Sequence, residues 1–241
     1  MAKEKEAIIK RKEEALAHFN DYLNACINCD DEKQNKKASL LSYWIKDYIS
    51  YLKNEDDFNP RKLIKYKRGD IIKVNLGFNI GNEEGGLHYA VVVDNNNALN
   101  SSIITVIPLT SYKKNAKINS NYDVYIGNEL YTKLHTKILS ELSGLEKYIQ
   151  KINKELKEVS STSFFSTDND INRQMNQCKK ILKEISRMKE GSIALVGQIT
   201  TISKMRIYDP KNSSNVLSNI RLSNENLDKI NDMIKKLYLF K

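Results

Sequence analysis

Between residues 68 and 110 the chain holds three short apolar runs separated by polar turns. They read Ile71-Ile72-Lys73-Val74-Asn75-Leu76, then Leu87-His88-Tyr89-Ala90-Val91-Val92-Val93, then Ile103-Ile104-Thr105-Val106-Ile107-Pro108-Leu109-Thr110. All three are rich in β-branched residues and bounded by Gly, Asn and Asp, a pattern of strands rather than helices. The loop between the first two carries Gly77, Gly81, Gly85 and Gly86. Its backbone is therefore free to enter conformations closed to other residues. Polar groups gather at the loop-facing ends: Glu83, Glu84 and His88 on one side, Thr110, Ser111 and Lys113 on the other. Apolar strands with polar residues at one rim mark that rim as a candidate site.

Two helices precede this block. Leu16, Phe19, Leu23 and Cys26 recur at three- and four-residue spacing, as do Leu41, Trp44, Tyr48 and Leu52, with a polar turn expected over residues 30–37. Asn59-Pro60 ends the hairpin, because the residue before proline is pushed out of helical geometry. Lys62, Lys65, Lys67 and Arg68 follow as a basic approach to the first strand, fit either to touch phosphates or to be solvated. Residues 122–126 alternate and read as a fourth strand. Then Ile138, Leu142, Leu145, Ile149, Ile152, Leu156 and Val159 form a heptad seam. Ile171, Met175, Cys178, Leu182, Ile185 and Met188 nearly repeat it. A polar turn is expected over 160–170, with Asp168 or Asp170 capping the second helix. The result is an antiparallel hairpin projecting from the strand domain, with no catalytic part. Asp209-Pro210 breaks the last strand, and Ser223 opens a closing helix with Leu227, Ile230, Ile234 and Leu237 on one face.

The net charge of +9 suits a polyanionic partner, or equally a solvated lysine-rich surface. Cys26 and Cys29 form a lone C-x-x-C and Cys178 stands apart, short of the four ligands of a structural zinc site. They read as reduced thiols. The chain is charged from Lys3 onward, which does not read as a signal peptide, and no apolar run is long enough for a bilayer. The expected location is the cytoplasm, with no membrane partner.

The order Arg68-Gly69-Asp70, apolar strand, Gly81-Asn82-Glu83-Glu84-Gly85-Gly86, apolar strand, Ile107-Pro108-Leu109-Thr110-Ser111 resembles the PemK/MazF toxin family. Residues 192–207 are similar to that family's later strand pair, with Gln198-Ile199 and Lys204-Met205-Arg206 in its Gln-Ile and Lys-x-Arg positions. The resemblance implies an α+β fold: a small SH3-like β-barrel of the PemK/MazF/CcdB kind with a C-terminal helix. An N-terminal helical hairpin and an inserted antiparallel helical hairpin are added to it. The expected domains are 1–60 for the N-terminal extension, 61–127 with 191–241 for the barrel, and 128–190 for the insertion.

The resemblance further implies a type II toxin. Such a toxin is an endoribonuclease that cleaves single-stranded RNA, including mRNA, without metal or cofactor, to 2′,3′-cyclic phosphate and 5′-hydroxyl ends. A cognate antitoxin protein and a homodimer come with that reading. The family's catalytic arginine position holds His88, followed by Tyr89 where the family has proline. Either His88 has taken over acid–base work, or activity is reduced or lost. A histidine satisfying a rim hydrogen bond is the simpler alternative. Thr110 matches the catalytic threonine. Glu83, Gly85, Gly86, Ser111, Lys113, Gln198, Lys204 and Arg206 are carried over as substrate-binding positions, with Lys114 beside Lys113, whereas Thr200 replaces a frequent arginine. Tyr89, Tyr112 and Tyr122 suit either base stacking or core packing. The residues leave two further functions open. One is an inactive module that binds nucleic acid or protein. The other is a CcdB-like gyrase poison, which the glycine loop and Thr110 argue against.

Overall fold

The computed structural model describes residues 2–113, 118–158, 164–189 and 191–239. They form two compact units, Met1–Asp56 and Asp57–Lys241.

The first unit is a pair of helices, α1 (Ala2–Ile27) and α2 (Glu32–Asn54). The Asp31 side chain accepts from the Lys33 amide at 2.8 Å and starts α2. This cap overturns the turn expected over 30–37, most of which is helix. Cys26 and Ala38 are the buried residues between the two helices, and the Cys26 thiol donates to Gln34 Oε1 at 3.6 Å. Cys26, Cys29 and Cys178 are all free thiols. No helix among the described residues is long and apolar enough to cross a membrane.

The second unit is a mixed α+β fold. Its strands are β1 (Ile71–Asn75), β2 (Leu87–Val92), β3 (Ile103–Ser111), β4 (Asp123–Gly127), β5 (Ser192–Leu195), β6 (Thr200–Ser203) and β7 (Ile207–Asp209). Between β4 and β5 come α3 (Glu129–Glu158) and α4 (Phe164–Ile185), and α5 (Asn224–Tyr238) closes the chain. The seven strands form one sheet in the order β4-β5-β3-β2-β1-β7, with β6 also on β3. Every ladder is antiparallel.

This sheet is open, which corrects the expected SH3-like barrel. The path runs from β4 to β7, and no ladder among the described residues joins those two ends. One local cause is visible. Strand β3 gives one edge to two short partners, β6 along Ile103 to Val106 and β5 along Leu109 to Ser111, so that edge splits. Helix α5 also meets β4, where the Asn226 side chain donates to the Ile126 carbonyl at 3.1 Å.

Alternate residues of the same strands enter two separate cores. Ile71, Val91, Val93, Ile107 and Leu109 pack on one face with Leu130, Leu134 and Ile138 of α3, Cys178 and Ile181 of α4, and Leu227 and Ile230 of α5. Ile72, Val74, Ala90, Val92, Ile104 and Val106 pack on the other with Leu76, Ile202, Ile207 and Tyr66. Burial on both faces explains why the strands read as near-continuous apolar runs.

The helical pair is therefore not an appendage. Its base covers a sheet face, while Leu142, Ile149, Met175 and Leu182 of the expected seam are exposed. Helix α4 begins at Phe164, so Asp168 and Asp170 lie inside it rather than at its cap. The positions between α3 and α4, 159–163, and the side chains of Ile152 and Leu156 lie outside the described residues. A polar cluster sits under α4: Glu184 accepts from both the Lys73 ammonium and the Tyr89 hydroxyl. Burial pushes the Glu184 carboxyl up. The Lys73 and Tyr89 hydrogen bonds, with the charges of Lys73 and Arg187, more than offset it and hold the group below its ordinary 4.5.

Replacing Glu184 by Ala strands the Lys73 ammonium, whose side chain is only 13% exposed. The expected loss is on the order of 3 kcal/mol, read as a lower thermal midpoint. Since the carboxyl is depressed in the folded state, the stability it adds is present above the unfolded value and fades as pH falls through the folded one. A midpoint unchanged in the Glu184→Ala protein at neutral pH contradicts this role.

Candidate functional site

The glycine loop that joins β1 to β2 is folded back on itself by its own backbone. The Leu76 amide donates to the Gly86 carbonyl at 2.7 Å, and the Gly86 amide donates to the Gly77 carbonyl at 2.6 Å. A Cβ at Gly85 would stand 2.9 Å from the Gly77 carbonyl oxygen, so that position admits no side chain. Gly86 has φ +83°, open to glycine and strained for other residues.

One residue from elsewhere ties this loop down. Gln198 lies in the 3-10 turn Val196–Gln198 after β5. Its Oε1 accepts from the Glu84 amide at 2.6 Å and its Nε2 donates to the Asn82 carbonyl at 3.3 Å. Between loop and turn lies a groove of about 610 Å³, lined by Asn79, Glu83, Glu84, Gln198, Thr200 and Arg206 over an apolar floor of Leu76, Pro108 and Ile202. The Arg206 Nε donates to the Asn75 carbonyl at 2.7 Å.

His88 stands beside the loop on β2. Its Nε2 is 2.9 Å from Glu84 Oε1, and its Nδ1 is 3.2 Å from the Leu109 carbonyl. A carbonyl only accepts, so Nδ1 carries a hydrogen. A carboxylate also only accepts, which favours a hydrogen on Nε2 too. Both contacts favour the protonated ring over the neutral one. The Glu84 hydrogen bond raises its pKa most, burial opposes, and the Glu84 charge and the Leu109 bond add to the rise.

Thr110 is half-buried near the end of β3. Tyr89 pairs with Leu109, so continuing that register by one residue sets His88 opposite Thr110. Both belong to the face that carries Ala90 and Val92, and Pro108 of that face lines the groove. His88, Thr110 and the groove therefore share one side of the sheet.

The remaining positions divide. Glu83, Gln198 and Arg206 line the groove, and Gly85 and Gly86 shape its loop. Ser111 and Lys113 are exposed beyond Thr110, and Lys114 lies outside the described residues. Lys204 is not in the groove. It is 1% exposed, and its ammonium donates to the Ala98 carbonyl at 3.0 Å with the Tyr66 ring beneath it. Of the tyrosines, Tyr89 is held by Glu184 on the opposite face, Tyr112 packs on Tyr125 at 5.2 Å, and Tyr122 is exposed. Among the described residues no group of three or more His, Cys, Asp or Glu is placed to hold a metal ion.

Glu84 is the residue that sequence reasoning placed at the rim without a partner. Its signal was its spacing of four from His88 in a loop tight enough to bring the two together.

A loop shaped by glycines, an imidazole whose pKa is raised by a carboxylate, and a hydroxyl on one sheet face are groups able to bind and polarise a phosphodiester. Residues 67–174 match a family described as PemK-like, MazF-like toxin of type II toxin-antitoxin system. That part of the chain carries a PemK/MazF-type toxin domain. The match takes in β1 to β4 and runs into α4, so residues 192–207 lie outside it. No curated protein matches the chain.

Replacing Glu84 by Gln removes the carboxylate that favours the imidazolium. The His88 titration midpoint, followed by NMR, is expected to fall towards the ordinary value of about 6.5. His88 is raised in the folded state. The stability the pair adds is therefore complete below the unfolded pKa and lost as pH rises through the folded one. An unmoved midpoint contradicts the pairing.

Proposed function

We propose that this chain is a toxin that cleaves single-stranded RNA without a metal ion. The observation that carries this reading is the placement of His88, Thr110 and the glycine loop on one face, within a segment that matches the toxin family. In the proposed reaction the ribose 2′-oxygen loses its proton to water and attacks the adjacent phosphorus. The bond from phosphorus to the 5′-oxygen breaks. His88 gives that oxygen its Nε2 proton, and the Thr110 hydroxyl donates to a phosphoryl oxygen. Glu84 keeps His88 charged, so the histidine stands in for a fixed cation as well as an acid. This changes the role that its residue type alone suggests, because a ring already protonated on both nitrogens cannot accept the 2′ proton. The products are a 2′,3′-cyclic phosphate and a 5′-hydroxyl. Arg206, Ser111 and Lys113 are proposed to hold the RNA backbone, Glu83 to accept from a sugar hydroxyl or base N–H, an antitoxin to occlude the groove, and the toxin to act as a homodimer in the cytoplasm.

One observation favours a second reading. Both ring nitrogens of His88 already have protein partners. In that case the groove binds RNA and does not cut it.

The test is cleavage of a single-stranded RNA in EDTA, with the product ends identified. His88→Ala is expected to slow cleavage by about two to four orders of magnitude, the usual contribution of an acid catalyst. His88→Gln restores nothing, whereas His88→Arg recovers the part that charge supplies. For wild type the rate should decline as pH rises through the raised His88 pKa. Cleavage only on adding a divalent ion rejects the metal-free mechanism. RNA binding without cleavage supports the second reading.

A further inference from the structure

The tie between Gln198 and the glycine loop extends beyond the groove wall. Gln198 is far from the loop in sequence and meets it through both ends of its amide. Its Oε1 holds the backbone amide of Glu84, the residue whose carboxylate reaches His88 at 2.9 Å. Asn79 Nδ2 donates to the Glu84 carbonyl at 2.7 Å, so the Glu84 peptide is gripped on both sides. His88 itself meets Val74 across the β1 ladder and the Leu109 carbonyl from β3. Among the described residues, Glu84 is the charged group that acts on it.

We propose that Gln198 is a positioning residue: by clamping the Glu84 peptide it keeps the Glu84 carboxylate against His88. The chain of contacts runs from the turn after β5, through the loop, to the ring on β2. Without the clamp, Glu84 sits on a loop held, among the described residues, by its own backbone bonds and by the local side chains of Asn75, Asn79 and Glu83. Its carboxylate is then free to turn towards water. His88 loses its acceptor and titrates as an ordinary histidine. The clamp stands on geometry alone, whereas its importance for cleavage rests on the reading given under Proposed function.

The experiment is an NMR titration of ring-labelled histidine in the full chain, with Gln198→Met, Glu84→Gln and the double variant. Methionine keeps the length of glutamine and removes both hydrogen bonds. In wild type the His88 midpoint should lie above about 6.5. Gln198→Met should lower it by at least ~0.5 pH unit. In the Glu84→Gln background, Gln198→Met should add no further shift, because the two act through one contact. A His88 midpoint that Gln198→Met leaves in place, while Glu84→Gln lowers it, overturns the clamp. So does equal, additive lowering by both. Should Gln198→Met lose its fold, Gln198→Ala is the second variant. Exchange of the Glu84 amide in wild type then answers independently: protection supports the clamp, and free exchange overturns it. These readouts need no RNA. A protein that cuts no RNA but shows the coupled shift keeps the clamp and loses the nuclease reading. Cleavage with no coupled shift does the reverse.

Discussion

Burial of the sheet on both faces is the constraint on which the second unit depends. Successive residues such as Ile71 and Ile72, or Val106 and Ile107, go to opposite cores. A strand of this kind has no solvent face, so each core needs its own cover. Helices α3, α4 and α5 cover one. In the other, Tyr66, Leu76, Ile202 and Ile207 pack with the strand residues, and Leu63 and Ile64 lie against them. Most polar residues are left to the strand ends, near the groove, and the exception Lys73 inside β1 is paired with Glu184.

The same economy governs the positive charge. Several basic side chains are used inside the protein. Lys204 holds the Ala98 carbonyl, Lys137 holds the carbonyls of Val216 and Ser218 at 2.9 Å, and Arg68 bonds the Val93 carbonyl and Asn231. Lys73 is bound to Glu184. A net charge of +9 therefore overstates what reaches a bound polyanion. The groove itself sets Glu83 and Glu84 against Arg206. Beside the groove, positive charge at position 88 depends on a protonated ring and on the Glu84 carboxylate next to it.

Position 88 also shows how a residue's charge depends on its surroundings. An arginine would carry its charge at any working pH. A histidine needs help, and Glu84 supplies it at 2.9 Å. The glycines make this possible, since Gly85 lies too close to Gly77 for a side chain and lets the loop fold tightly against β2. Glu84 and His88 are therefore one unit, and the loop conformation belongs to it.

The sequence alone determined most of the elements and drew attention to the loop that borders the groove. Periodicity showed the strands, the helices and the Ser223 cap of α5, because each depends on neighbours along the chain. Glycine and polar residues at the strand ends pointed to the groove for the same reason. The closed barrel was not legible and proved wrong, since closure depends on which edges meet. The strand path ends at β4 and β7, and no ladder among the described residues joins them. The part of the hairpin that is core was equally hidden, because a heptad seam does not say which flank meets a sheet. Only the tertiary structure put Lys204 inside, Gln198 on the loop and Glu84 on His88. Those contacts join residues far apart in sequence or brought together by a backbone turn, and no local pattern encodes a distance across a groove.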